Sequence, residues 1–339
     1  MPRPGPGAEP SAGRSTNILG KFEKDKEILT TKDTVNYSAA LQPYGFDTFA
    51  ASGDVGSSPD SGYKNDFFTA GESVRWLRAS ALKADSDTKP FFLVASFLNP
   101  HDIMYANANM PGEDVQKGLS HSELTYPPDN SLYQKKWTFD LPPSLGESLT
   151  APGMPSALGE YCKGWSGALG FIPTGRKDMW KAFNNYYLNL VRDNDRTLQQ
   201  LVDVLEETKL WKNTIVILTA DHGEMGGSHG GLRGKGPFAY EENSKVPFIM
   251  VHPDYPGGTS DVLTSHLDLL PTLVALTGLP EAQREEAVQG LPGRDFSGTL
   301  AETERKNVHA IRQGILFNYV APLTIDQEFS SIMTSSSST

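Results

Sequence analysis

Residues 213–240, NTIVILTADHGEMGGSHGGLRGKGPFAY, change character in a single step. Residues 214–218 are an apolar, β-branched run bounded by polar positions, which predicts a buried strand of a parallel sheet. Ala220 is then followed by Asp221, His222, Gly223 and Glu224, and by a loop containing Gly226, Gly227, Gly230, Gly231, Gly234 and Gly236. In an open α/β sheet, ligands bind just outside the carboxyl ends of the strands. A carboxylate beside an imidazole at such a point can ligate a divalent cation, which makes Asp221 and His222 candidate metal ligands. His229 and Lys235 lie on the loop, whose glycines permit positive φ and close approach of backbone to a ligand. A cation and a lysine together suit a tetrahedral oxyanion ester, because both stabilise charge on its oxygens.

Other segments supply the surrounding layers. Residues 91–98, FFLVASFL, form a second apolar run after Pro90 and end at Asn99, Pro100, His101 and Asp102. In residues 65–82, Phe67, Ala70, Val74 and Leu77 fall at helical spacing and predict an amphipathic helix. Residues 178–207 predict a long helix with Phe183, Tyr187, Leu190, Val191, Leu198, Leu201, Val202 and Leu205 in one stripe. Residues 246–251 predict another buried strand, and Pro271 fits the first turn of a helix within 261–278. Residues 104–177 are rich in Pro, Gly and aromatic residues and show little periodicity. A stretch so long and irregular is expected to be a functional excursion facing the substrate. Residues 1–17 and 326–339 have the composition of a flexible arm and a disordered tail.

The chain's 339 residues, 38% of them hydrophobic, suffice for one large α/β domain over 18–325. Acidic residues outnumber basic ones by 41 to 30, for a net charge of −11, which argues against nucleic acid as a partner. No run approaches the roughly 18 apolar residues of a membrane helix. The single cysteine, Cys162, excludes an internal disulfide. Nothing in the sequence assigns a compartment.

The segment TADHGEMGGSHGGLRGKGPFAYEENSKVPFIMVHP resembles the C-terminal active-site segment of the sulfatase family, within the alkaline phosphatase superfamily. The likeness extends more loosely to the YGFD sequence at 44–47, to the Pro-His pair at the end of the 91–98 run, and to an Asp-x-x-Pro-Thr helix. It implies an α/β fold with a mixed, mostly parallel central sheet flanked by helices. It also implies sulfuric ester hydrolysis with a divalent cation, calcium being the expected ion, on a small-molecule or glycan sulfate ester. By the same resemblance Asp221 and His222 hold the cation, His101 and Lys235 bind the sulfate and act catalytically, and His229 is a further catalytic or supporting contact. Without the resemblance, His101 reads as a loop histidine. Gly20, Lys21 and Phe22 match the start of a family motif whose fourth position, histidine, is Glu23 here.

One half of such a site has no counterpart in these residues. The family's nucleophile is a formylglycine matured from the cysteine of Cys-x-Pro/Ala-x-Arg. Cys162 instead has Gly164 and Ser166 at the second and fourth following positions. No nucleophile is found, and the expectation is an N-terminally incomplete fold and a truncated or impaired sulfatase-like enzyme. Two alternatives stay open: a phosphonate or phosphate monoester hydrolase of the same superfamily, since Asp-His pairs occur there, and a non-catalytic protein binding a sulfated ligand.

Overall fold

A computed structural model describes residues 14–19, 39, 41–50, 60–81, 90–117, 124–301 and 307–319. Lys21, residues 1–13 of the expected arm and the 326–339 tail fall outside them. Two compact units are present. One takes the described residues up to Leu210 together with Glu224–Gly236; the other takes Trp211–Gly223 and the described residues from Pro237 onward.

The first unit is built on a parallel ladder. Strand β1 (Arg14–Leu19) lies between β2 (Thr48–Ala50) and β3 (Phe91–Ser96), with Thr16 opposite both Thr48 and Leu93. This corrects the arm assigned to 1–17, because residues 14–17 begin the middle strand. A strand hydrogen-bonded on both edges is held by backbone groups that every residue carries, so RSTNIL needs no apolar alternation to take that place.

Helix α1 (Ser61–Ala81) connects into this ladder, but not on the face its apolar residues suggested. Ala70 and Leu77 are buried, as expected, whereas Phe67 is exposed and Ser61, Asp66, Thr69, Ser73 and Ser80 are buried. The buried face is small and polar because it joins the carboxyl end of β3 through carboxylates. Asp66 accepts the backbone N–H groups of Leu98 and Asn99 at 2.7 and 2.9 Å. In return Asp102, fully buried, accepts the N–H groups of Gly62 and Tyr63 at the first turn of α1 at 3.0 and 3.2 Å. Each element thus satisfies donors that the other leaves without a helical or ladder partner.

The long helix α3 (Lys177–Thr208) carries the core of this unit. Met179, Trp180, Phe183, Tyr186 and Leu190 pack with Ile103, Ala106, Ala108, Leu132, Tyr133, Leu145 and Ile172. The stripe is rotated from the expected one: Val191 and Val202 are exposed, while the polar Asn189 is buried. Asn189 accepts from Trp137 Nε1 at 2.8 Å and donates to the carbonyls of Tyr133 and Lys135. These contacts replace the apolar partner that periodicity predicts. Several described residues of 104–177 therefore belong to the core, and the stretch includes a helix, α2 (Ser156–Leu169), that the weak periodicity did not reveal.

In the second unit β4 (Val216–Thr219) pairs antiparallel with β5 (Phe248–Val251), Val216 opposite Val251. Both were expected as buried strands, the first in a parallel sheet. Instead Leu218, Phe248, Ile249 and Val251 are each more than a third exposed. β-Branched apolar runs specify a strand, not the direction of its partner. Ser265 forms a reciprocal capping box with Asp268, and helix α4 (Leu269–Leu276) follows with Pro271 in its first turn. Helix α5 (Glu281–Val288) comes next. With helices beside parallel and antiparallel ladders, the fold class is α/β.

Burial pushes the Asp66 carboxyl up to about 7 and that of Asp102 to about 6, against backbone donors that pull both down. A carboxyl whose folded pKa is raised favours the fold when protonated, so its contribution is lost as pH rises from the unfolded value towards the folded one. Chemical denaturation of Asp66→Asn beside the parent chain should show the variant gaining relative stability as pH is raised from 4 to about 7. A pH-independent difference would contradict this.

Candidate active site

The chain leaves β4 at Thr219, and the next residues turn sharply. His222 N–H bonds back to Asp221 Oδ1 at 3.0 Å, and His222 Nε2 lies 3.4 Å from Asp221 Oδ2. The other ring nitrogen, Nδ1, is 2.8 Å from the Gly223 carbonyl. A histidine whose Nδ1–H is committed to a carbonyl presents Nε2 in the form that ligates metals. The two side chains predicted as metal ligands therefore converge just past the strand end, with the Asp221 side chain 83% exposed. Gly223 allows the turn: a Cβ there would collide with the Glu242 carbonyl, and its N–H bonds the Asn243 carbonyl at 2.9 Å. His266 Nε2 adds a contact to the Ala220 carbonyl at 2.9 Å.

A calcium shell takes about six to eight oxygens, and of this pair only the Asp221 carboxylate supplies oxygen, His222 offering an imidazole nitrogen. Among the described residues, no group of three or more His, Cys, Asp or Glu side chains is placed to hold a metal ion. A divalent cation beside Asp221 and His222 would need its remaining positions filled by other donors.

The glycine-rich loop belongs to the first unit and is folded as a closed hairpin. Met225 N–H bonds the Gly234 carbonyl at 3.1 Å and Gly227 N–H the Leu232 carbonyl at 2.8 Å. Glu224, half-buried, accepts the N–H groups of Gly226 and Gly234 at 3.1 and 2.7 Å. Loss of water raises its carboxyl above the usual range, while these donors and the cations of Arg233 and Lys235 oppose the rise. Arg233 is buried, donates to the Gly170 carbonyl and has its pKa lowered by burial to about 10, so it keeps its charge at neutral pH. Gly227, at φ 96°, lies so close to the Trp180 ring that a Cβ would come within 2.7 Å of it.

His229 and Lys235 sit at different points of this hairpin. The His229 N–H bonds Ser144 Oγ and its Nδ1 lies 3.0 Å from Glu147 Oε2. Lys235 is half-buried, and Tyr161 of α2 donates its hydroxyl to the Lys235 carbonyl. His101 opens a tight helical turn, His101–Tyr105, after a cis Asn99–Pro100 peptide, with its N–H on the Leu98 carbonyl at 2.8 Å. Asp102, beside it, is the α1 partner described above. Ser144, Glu147 and Tyr161 carry no motif, and only coordinates reveal their contacts. Cys162 is half-buried on α2, and burial raises its thiol pKa, which is unlike an activated nucleophile.

Gly223→Ala forces a Cβ against the Glu242 carbonyl and should lower stability in denaturant by about 1–3 kcal/mol. A neutral effect would mean that the turn after His222 is not held as described.

The sulfatase family model matches residues 11–279. A sulfatase of Formosa agariphila is 29% identical over 255 residues, 71% of this chain and 43% of that protein. Human arylsulfatase K is 23% identical, over 74% of this chain and 42% of its own length. The chain thus spans less than half the length of these curated relatives. Among solved structures, a putative sulfatase from Bacteroides thetaiotaomicron aligns with a TM-score of 0.55 at 21% identity, over 78% of this chain and 52% of the other. BT4656, solved in complex with its substrate D-glucosamine-2-N,6-O-disulfate, aligns with a TM-score of 0.52 at 17% identity, over 93% and 67%. Among the described residues no helix is long and apolar enough to cross a membrane. With the family model matching most of its length, the chain belongs to the sulfatase family.

Proposed function

We propose that this chain provides the cation- and sulfate-holding part of a sulfuric ester hydrolase. The observation that carries the reading is the Asp221–His222 pair at the end of β4, its Nδ1 committed to the Gly223 carbonyl and its Nε2 turned to the carboxylate. Family membership supplies the reaction class. Asp221 and His222 hold a divalent cation, calcium by expectation, which when bound supplies positive charge to the sulfate oxygens. Lys235 and His101 bind and neutralise the sulfate, and His229 contacts the ester or its leaving group. The excursion within 104–177 presents its Ser144–Glu147 turn towards the substrate, a reading supported by the hold of Ser144 and Glu147 on His229. A sulfated glycan is the favoured substrate class, because BT4656, of similar fold, was solved with a sulfated glucosamine.

Binding and turnover separate in this reading. Calorimetry should detect calcium binding, and Asp221→Ala should weaken it by at least about tenfold, since removing one ionic donor costs roughly 1.5–3 kcal/mol. With p-nitrophenyl sulfate and excess calcium, the 339-residue chain should turn over little, because electrostatic groups do not replace an attacking group. Strong turnover abolished by Asp221→Ala would reveal a nucleophile among these residues. Calcium binding unaffected by Asp221→Ala would overturn the metal assignment.

A further inference from the structure

His229 adopts φ 49° and ψ 60°, the left-handed region. Gly226, Gly227, Gly230 and Gly231 around it also have positive φ. A side chain in this conformation is strained, and such strain persists where surrounding contacts impose it. The loop carries histidine between Ser228 and the Gly230–Gly231 pair. Besides the hairpin's own backbone bonds, one segment contacts this histidine. The tight turn Pro143–Gly146 is anchored in the core by Leu145, which is 5% exposed. Ser144 Oγ accepts the His229 N–H at 3.0 Å, and Glu147 Oε2 lies 3.0 Å from Nδ1. The Glu147 carbonyl is also 2.8 Å from where a Gly230 Cβ would be. Segment 144–147 thus touches the backbone and ring of His229, and with Leu149 it crowds the following residue.

Stability does not account for this arrangement. The Glu147 side chain is 47% exposed, and ion pairs so open to water contribute little to stability. A carboxylate on one imidazole nitrogen does fix the tautomer and the plane of the ring, which is how histidines in reactive sites are oriented.

We propose that Glu147 is a positioning residue for His229. It accepts the Nδ1–H and so holds the neutral ring in one tautomer, while Ser144 accepts the N–H of the strained His229 backbone. The inference deepens the sulfate-ester reading and rests on its assignment of His229.

Two measurements test it. Nitrogen NMR of the imidazole rings at about pH 7.5, above the usual imidazole range, reports the tautomer of the neutral ring. The His229 signals are identified by their loss in His229→Asn. The parent should show the Nδ1–H form. Glu147→Gln, whose amide oxygen still accepts, should keep it, and Glu147→Ala should move it towards Nε2–H. The affinity for p-nitrophenyl sulfate should fall about tenfold in Glu147→Ala and stay near parent in Glu147→Gln, the size that supporting partners of site residues carry. An Nε2–H parent, or one tautomer throughout the series, overturns the positioning role. So does ester affinity lost in His229→Asn but kept in Glu147→Ala. If the parent binds no ester, the sulfate reading fails by itself, and the tautomer series alone decides the role of Glu147.

Discussion

Glu224 accepts hydrogen bonds from Gly226 and Gly234 on the two sides of the glycine-rich hairpin, and the placement of His229 and Lys235 follows from that closure. Glycine-rich backbone is entropically costly to order, and such a loop keeps one shape only when its polar groups are satisfied internally. Here the neck is tied by a carboxylate and by the Met225–Gly234 bond, the middle by Gly227–Leu232, and the outer side rests on Trp180. Arg233, buried and charged, is tolerated because Glu224 offsets its cost.

The same device recurs at the other candidate positions. His101 follows β3 at a point where Asp66 and Asp102 exchange backbone hydrogen bonds between α1 and the strand end. His229 is gripped by Ser144 and Glu147, and the turn after His222 is closed by Gly223 against Asn243. In each case a short polar contact to backbone or ring, rather than apolar packing, sets where a candidate side chain lies. Burying the carboxylates of Asp66 and Asp102 has a cost, visible in their raised pKa values. What it secures is a fixed path for the chain just before the histidine.

Much of the framework was legible in the residues. The strands preceding His101 and Asp221, the long helix at Lys177–Thr208 and Pro271 in the first turn of α4 lie where apolar runs and helix signals put them. The Asp221–His222 pair was legible because an abrupt apolar-to-charged change marks a strand end. Other features were not, for physical reasons. β1 is held by backbone pairing, which leaves no side-chain signature. The buried face of α1 is polar, so a moment-based reading chose Phe67, which is exposed. The β4–β5 pairing is antiparallel, and an apolar run does not encode direction. Glu147 and Ser144 are ordinary surface residues in sequence, and their roles arise from contacts more than eighty positions away.

Calorimetric titration of p-nitrophenyl sulfate into the calcium-loaded chain tests the central claim most directly, with Lys235→Ala and His101→Ala titrated beside the parent. The account predicts saturable binding by the parent and a loss of about tenfold or more in each variant, the effect of removing one charge-assisted contact to the sulfate. No binding by the parent, or equal affinity in all three chains, would contradict it.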